Sequence, residues 1–147
     1  DNFRAYYQIH CQDETKPYDG IAEMLDALRD NGYKMAIVSN KGDEAVKQLA
    51  ARFFSPWIKI AVGERIDIRR KPNPDAVLQA IKQLGSNIEE SIYVGDSEVD
   101  IATAKNAGIP CVACLWGFRD EQFLRENGAT RLIKAPKELL STVQKQE

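Results

Sequence analysis

The stretch Ser91-Ile92-Tyr93-Val94-Gly95-Asp96-Ser97-Glu98-Val99-Asp100 decides how this chain is read. Residues 91–94, in which Ile92-Tyr93-Val94 follow Ser91, read as a short strand. Gly95 lets the backbone turn sharply. Asp96 then sits where a strand has ended, and Asp100 falls one helical turn further on, at the start of a helix predicted over Asp100–Ala107 and stopped by Gly108. A strand that runs through glycine into a helix, with carboxylates four residues apart, is one half of a β-α-β unit.

The same alternation extends in both directions. Upstream, Ile21, Met24, Leu25 and Leu28 keep helical spacing, and Asn31-Gly32 stops them. Lys34–Val38 is a strand whose unbroken Ala36-Ile37-Val38 run suits a parallel sheet covered on both faces. Ala45, Val46, Leu49, Ala50 and Phe53 mark the next helix, and Ile58–Val62 the next strand. Asn73 reads as an N-cap with Pro74 at the first helical position, ahead of Val77, Ile81 and Leu84. Downstream come a strand over Cys111–Leu115, a helix at Phe123 and Leu124, a strand over Thr130–Ile133 and a last helix opened by Pro136. Residues 3–11 are predicted as a short helix. The whole is an α/β chain with a doubly wound parallel sheet, in which ligands bind beyond the carboxyl ends of the strands.

Composition narrows the function. Twenty basic against 22 acidic residues give a net charge of −2, so no basic excess exists to hold a nucleic-acid backbone. No apolar run approaches the roughly 18–20 residues of a membrane span. Asp1-Asn2-Phe3-Arg4 has neither the basic region nor the apolar stretch of a secretory leader, and a chain that does not begin with Met is expected to be part of a longer protein. Three cysteines form no disulfide framework, which points to a reducing, cytoplasmic setting. Cys111 and Cys114, three apart on a strand, face opposite ways and read as buried small hydrophobes. His10 is the sole histidine, which argues against a Ser-His-Asp triad.

Three strand-end segments carry chemistry. Ser39-Asn40-Lys41-Gly42 offers a hydroxyl, an amide and a glycine, either as an anion cradle or as a plain cap for the helix near Asp43. Lys71, in Arg69-Arg70-Lys71-Pro72-Asn73-Pro74, precedes a helix N-terminus, where a cation is misplaced unless an anion joins it; the alternative is a solvated basic turn. Asp96 and Asp100 are hard oxygen ligands suited to Mg²⁺, although capping by Asp96 or Ser97 would account for one of them.

In that order and spacing, these segments resemble the haloacid-dehalogenase-like phosphatase superfamily, and within it the phosphoglycolate phosphatases. The resemblance runs from about Phe3 to the C-terminus and includes Leu115-Trp116-Gly117-Phe118-Arg119. It implies that Ser39 and Asn40 bind the transferring phosphoryl group and that Lys71 offsets charge. It also implies that Asp96 binds Mg²⁺ and that Asp100 supports the metal site through water. Ser39, Lys71, Asp96 and Asp100 are thus the expected catalytic set. The expected substrate is a small phosphorylated metabolite, phosphoglycolate first, with pyrophosphate or another small organic phosphate as alternatives.

The family's Asp-x-Asp-Gly-Thr motif, which supplies the nucleophile and the general acid/base, is absent. The resemblance therefore implies an α/β core missing its first, central strand, with residues 1–15 as the tail of a helical cap and linker and 16–147 as the core. Two flanking strands would be left with unpaired backbone groups, to be completed by a missing N-terminal segment or a neighbouring chain. The chain alone is expected to be inactive; the rival expectation is a non-catalytic phosphate- or Mg²⁺-binding module, regulatory or structural.

Overall fold

The computed structural model describes residues 4–7, 20–117 and 119–144. Its centre is one six-stranded, all-parallel sheet, composed of β1 (Arg4–Tyr7), β2 (Lys34–Gly42), β3 (Ile60–Glu64), β4 (Ser91–Gly95), β5 (Cys111–Cys114) and β6 (Leu132–Ile133). The strand order is β3-β2-β1-β4-β5-β6. The winding reverses between β1 and β4, and that reversal opens a crevice at the carboxyl ends of the strands.

Two expectations are corrected here. The sheet has no central gap, because β1 pairs with β2 on one side and β4 on the other, with Ala5 level with Met35 and Ile92. Residues 4–7 are accordingly strand and not part of a helix; the rest of the stretch predicted as helix lies outside the described residues. The physical reason is the one that made a gap costly. β2 and β4 each present a ladder of N–H and C=O groups, and Arg4-Ala5-Tyr6-Tyr7, with two strand-favouring tyrosines, satisfies both.

The helices are α1 (Ile21–Asp30), α2 (Asp43–Phe53), α3 (Asp75–Gln83), α4 (Glu98–Ala107), α5 (Glu121–Glu126) and α6 (Leu139–Gln144), with short 3-10 turns at Ile88–Glu90 and Pro136–Glu138. Strand alternation sorts the core into two layers. Ile37, Ile92, Val94 and Val112 face Ile21, Leu25 and Leu28 of α1 and Leu139 of α6. Ala36, Val38, Val62 and Tyr93 face Val77 and Ile81 of α3 and Ala104 of α4. Cys114 belongs to the first layer and Cys111 packs against the second, so the two sulfurs point apart as the strand period requires.

Boundaries moved where loops hold extra pairing. β2 runs on to Gly42, through a register shift after Val38, because Gly42 still pairs with Glu64. Asn73 does not cap α3; its side chain donates to Arg70 O at 3.1 Å, and Pro74 takes the cap position. Gly108, at φ 80°, ends α4 as the sequence indicated.

Candidate active site

Ser39 closes the buried run of β2 and Asn40 follows it, before the strand ends at Gly42. Ser39 is 5% exposed, and its Oγ accepts the Lys41 N–H at 3.2 Å. Asn40 Oδ1 accepts the backbone N–H of Lys71 at 2.7 Å. Neither side chain caps α2, whose N-cap is Gly42 without a side-chain bond. The capping alternative for this segment is thereby removed, and Asn40 acts across 31 residues to tie the β2 end to the loop carrying Lys71.

That loop is held at several points. Asn106 Nδ2, near the end of α4, donates to Pro72 O at 2.8 Å. Asp75 accepts both the side chain and the backbone N–H of Arg69, at 2.9 Å each. Lys71 Nζ is carried inward to Asp100 Oδ1 at 2.9 Å, and the Lys71 side chain is 5% exposed. Such burial fits an electrostatic role and not a solvated turn; the exposed members of the basic run are Arg69 and Arg70.

The β4–α4 turn supplies the acidic half. Ser97 is the N-cap of α4; its Oγ accepts the Asp100 N–H at 3.2 Å and donates to Asp100 Oδ2 at 3.1 Å. Ser97, and not Asp96, is therefore the cap of α4. Asp100 accepts four hydrogen bonds. Oδ1 takes Lys71 Nζ and the Tyr93 hydroxyl, each at 2.9 Å, and Oδ2 takes Ser97 Oγ at 3.1 Å and the Asp96 N–H at 2.9 Å. Gly95 is required because a Cβ there would overlap the Asp100 carboxylate.

Asp96 is 7% exposed. Gly117, in the loop after β5, comes so close that a Cβ on it would overlap the Asp96 carboxylate. The same loop is anchored by Arg119, which pairs with Glu98 at 3.0 Å. Asp100 thus pairs with the one ammonium, Lys71, and Asp96 adjoins that pair through its backbone N–H to Asp100 Oδ2. The donor set suits Mg²⁺, which needs one or two carboxylates and fills its remaining positions with water and phosphate oxygens. No cluster of three or more His, Cys, Asp or Glu exists among the described residues, so a closed cage of protein ligands is not what these residues form.

Burial pushes the Tyr93 phenol well above its usual range, and the Asp100 charge adds to this. Burial raises Cys111 to about 12 and Cys114 well above the ordinary thiol value. Both thiols are thereby held toward the protonated form at neutral pH, which disfavours a nucleophilic role.

Of the five predicted residues, Ser39 and Asn40 lie in the last part of β2, Asp96 directly follows β4, Asp100 lies in the first turn of α4, and Lys71 lies in the loop tied to them. Sequence reasoning missed Tyr93, Asn106 and Gly117. A tyrosine inside an otherwise aliphatic strand was the available signal for the first, since a buried hydroxyl needs a partner.

The family described as haloacid dehalogenase-like hydrolase matches the chain over residues 1–114. The chain is 36% identical over 117 residues to a phosphoglycolate phosphatase of Aquifex aeolicus, covering 79% of this chain and 55% of that protein. It is 30% identical over 142 residues to a pyrophosphatase of Halalkalibacterium halodurans, covering 96% and 66%. A crystal structure of a candidate phosphoglycolate phosphatase from Lactobacillus delbrueckii subsp. bulgaricus matches with a TM-score of 0.86 and 41% identity, over 91% of this chain and 56% of that one. The chain thus spans roughly half to two thirds of the length of these relatives.

Proposed function

Because the chain belongs to the haloacid dehalogenase-like hydrolase family, we propose that it carries the phosphate- and metal-binding part of a phosphate-monoester hydrolase. The observation that carries this is the convergence of Asn40, Lys71 and Asp100 beside Asp96 at the sheet's crevice. The relatives are named phosphoglycolate phosphatase and pyrophosphatase, which favours a small phosphorylated metabolite, phosphoglycolate first.

In this reading Ser39 and the Asn40 amide nitrogen hold phosphoryl oxygens. Lys71 offsets the charge that builds on them during transfer. Asp96 would hold Mg²⁺, with Asp100 fixing the Asp96 backbone and the lysine; when bound, the ion neutralises phosphoryl charge. The attacking group would be an aspartate that forms an aspartyl-phosphate, later cleaved by water. The 147 residues contain no Asp-x-Asp pair. We therefore assign the nucleophile to sequence beyond them and expect this chain alone not to turn over.

The missing pair also favours a second reading, a module that binds phosphate and Mg²⁺ without hydrolysis. One experiment separates the two. Inorganic phosphate is titrated with Mg²⁺ into the chain, and phosphoglycolate hydrolysis is then assayed after a strand ending in Asp-x-Asp has been joined upstream to take the central place that β1 holds here. Binding followed by restored turnover supports the enzyme. Binding without turnover supports the module, and absence of binding defeats both.

A further inference from the structure

Tyr93 takes no part in the reading above, yet its environment is that of a working residue. It sits in the middle of β4, level with Cys111 of β5, and is 0% exposed. Its hydroxyl donates to Asp100 Oδ1 at 2.9 Å and lies 3.4 Å from Lys71 Nζ. Asp100 Oδ2 is held locally, by Ser97 Oγ and the Asp96 N–H. Of the four donors to this carboxylate, Tyr93 is the one that comes from the interior of the sheet. A lysine stem has four flexible carbons, whereas tyrosine is rigid and has two torsions. With Oδ2 already held by two donors, the hydroxyl adds an anchor on Oδ1 and so steadies the oxygen that the ammonium contacts.

We propose that Tyr93 is a positioning residue of the phosphate site: its hydroxyl locks Asp100 and so aims Lys71 at the anion. This rests on the phosphate-binding reading above. Tyr93→Phe removes the hydroxyl and keeps the ring. In the whole chain, with inorganic phosphate and Mg²⁺ as the probe, the variant is expected to weaken phosphate binding about five-fold, the scale of one weakened charge-assisted hydrogen bond. The ¹⁵N signal of the Lys71 ammonium in the phosphate-free protein is expected to broaden or move.

A tyrosine that merely fills space would lower the melting temperature and leave both readouts at their wild-type values; that result overturns the proposal. If the wild-type chain binds no phosphate, the functional reading fails, while the ammonium signal still decides whether Tyr93 holds the Lys71–Asp100 pair. Should Tyr93→Phe not fold, the wild-type protein gives the answer. A slowly exchanging Tyr93 hydroxyl proton with a through-space contact to the Lys71 side chain is expected, and its absence overturns the proposal.

Discussion

Lys71 and Asp100 form an ion pair at 2.9 Å with their side chains 5% and 1% exposed. A pair this buried is an uneven partnership, since removing one member strands the other. Among the described residues, Asp100 has three further donors to fall back on, whereas Lys71 Nζ has one carboxylate. Asp100→Ala is therefore expected to cost about 3–5 kcal/mol. Lys71→Met, which retains an apolar stem, is expected to cost about 1–3 kcal/mol. Urea unfolding of both variants checks the order; a costlier Lys71→Met would contradict it.

The Gly117 position gives a second prediction. A methyl group there meets the Asp96 carboxylate. Gly117→Ala should displace Asp96 and weaken Mg²⁺ binding by roughly an order of magnitude, the scale of a lost charged contact. Gly85→Ala is the control. It meets nothing within 4 Å but sits at φ +69°, so it should cost about 1 kcal/mol of stability and leave Mg²⁺ binding alone. Calorimetric titration of both variants distinguishes local crowding at the site from general loss of stability.

A third concerns pH. Asp75 is lowered to about 2 by its hydrogen bonds from Arg69. Its folded value lies below its unfolded one, so the stabilisation is fully present above the unfolded value and is lost as pH falls toward 2. Arg69 is 68% exposed, so solvent screens the pair and its contribution to stability is small. The titration midpoint is the sharper readout. A ¹³C carboxyl titration should place Asp75 near 2, and Arg69→Ala should move it back toward 3.8.

Much of this architecture was legible because its signals are local. The buried strand runs at Ala36-Ile37-Val38 and Ile92-Tyr93-Val94, the glycine stops at Gly32 and Gly108, and the order of the three motifs required no knowledge of distant contacts. What could not be read depends on pairing across the chain. The strand at Arg4–Tyr7 gave too short an apolar pattern to outweigh a helical reading, and its state follows from the ladders of β2 and β4. The reach of Asn40 to the Lys71 backbone and of Asn106 to Pro72 likewise spans more than 30 residues.

The last prediction sets two buried residues of the same neighbourhood against each other. Asp96 is placed by its N–H bond to Asp100 and bordered by Gly117, both features of a site that must present a carboxylate. Cys114 is equally buried, but packs into the apolar layer beneath α1 and α6 and keeps its proton. With the nucleophile segment restored, Asp96→Asn preserves shape and removes charge. It should lower Mg²⁺-dependent phosphoglycolate turnover by about 10²–10³-fold, the scale of several kcal/mol of charge stabilisation. Cys114→Ala removes one sulfur from a packed layer and should cost about 1 kcal/mol of stability with turnover unchanged. Equal losses of turnover in the two purified variants would mean that activity follows core packing in general, and the assignment of Asp96 to the metal would fall.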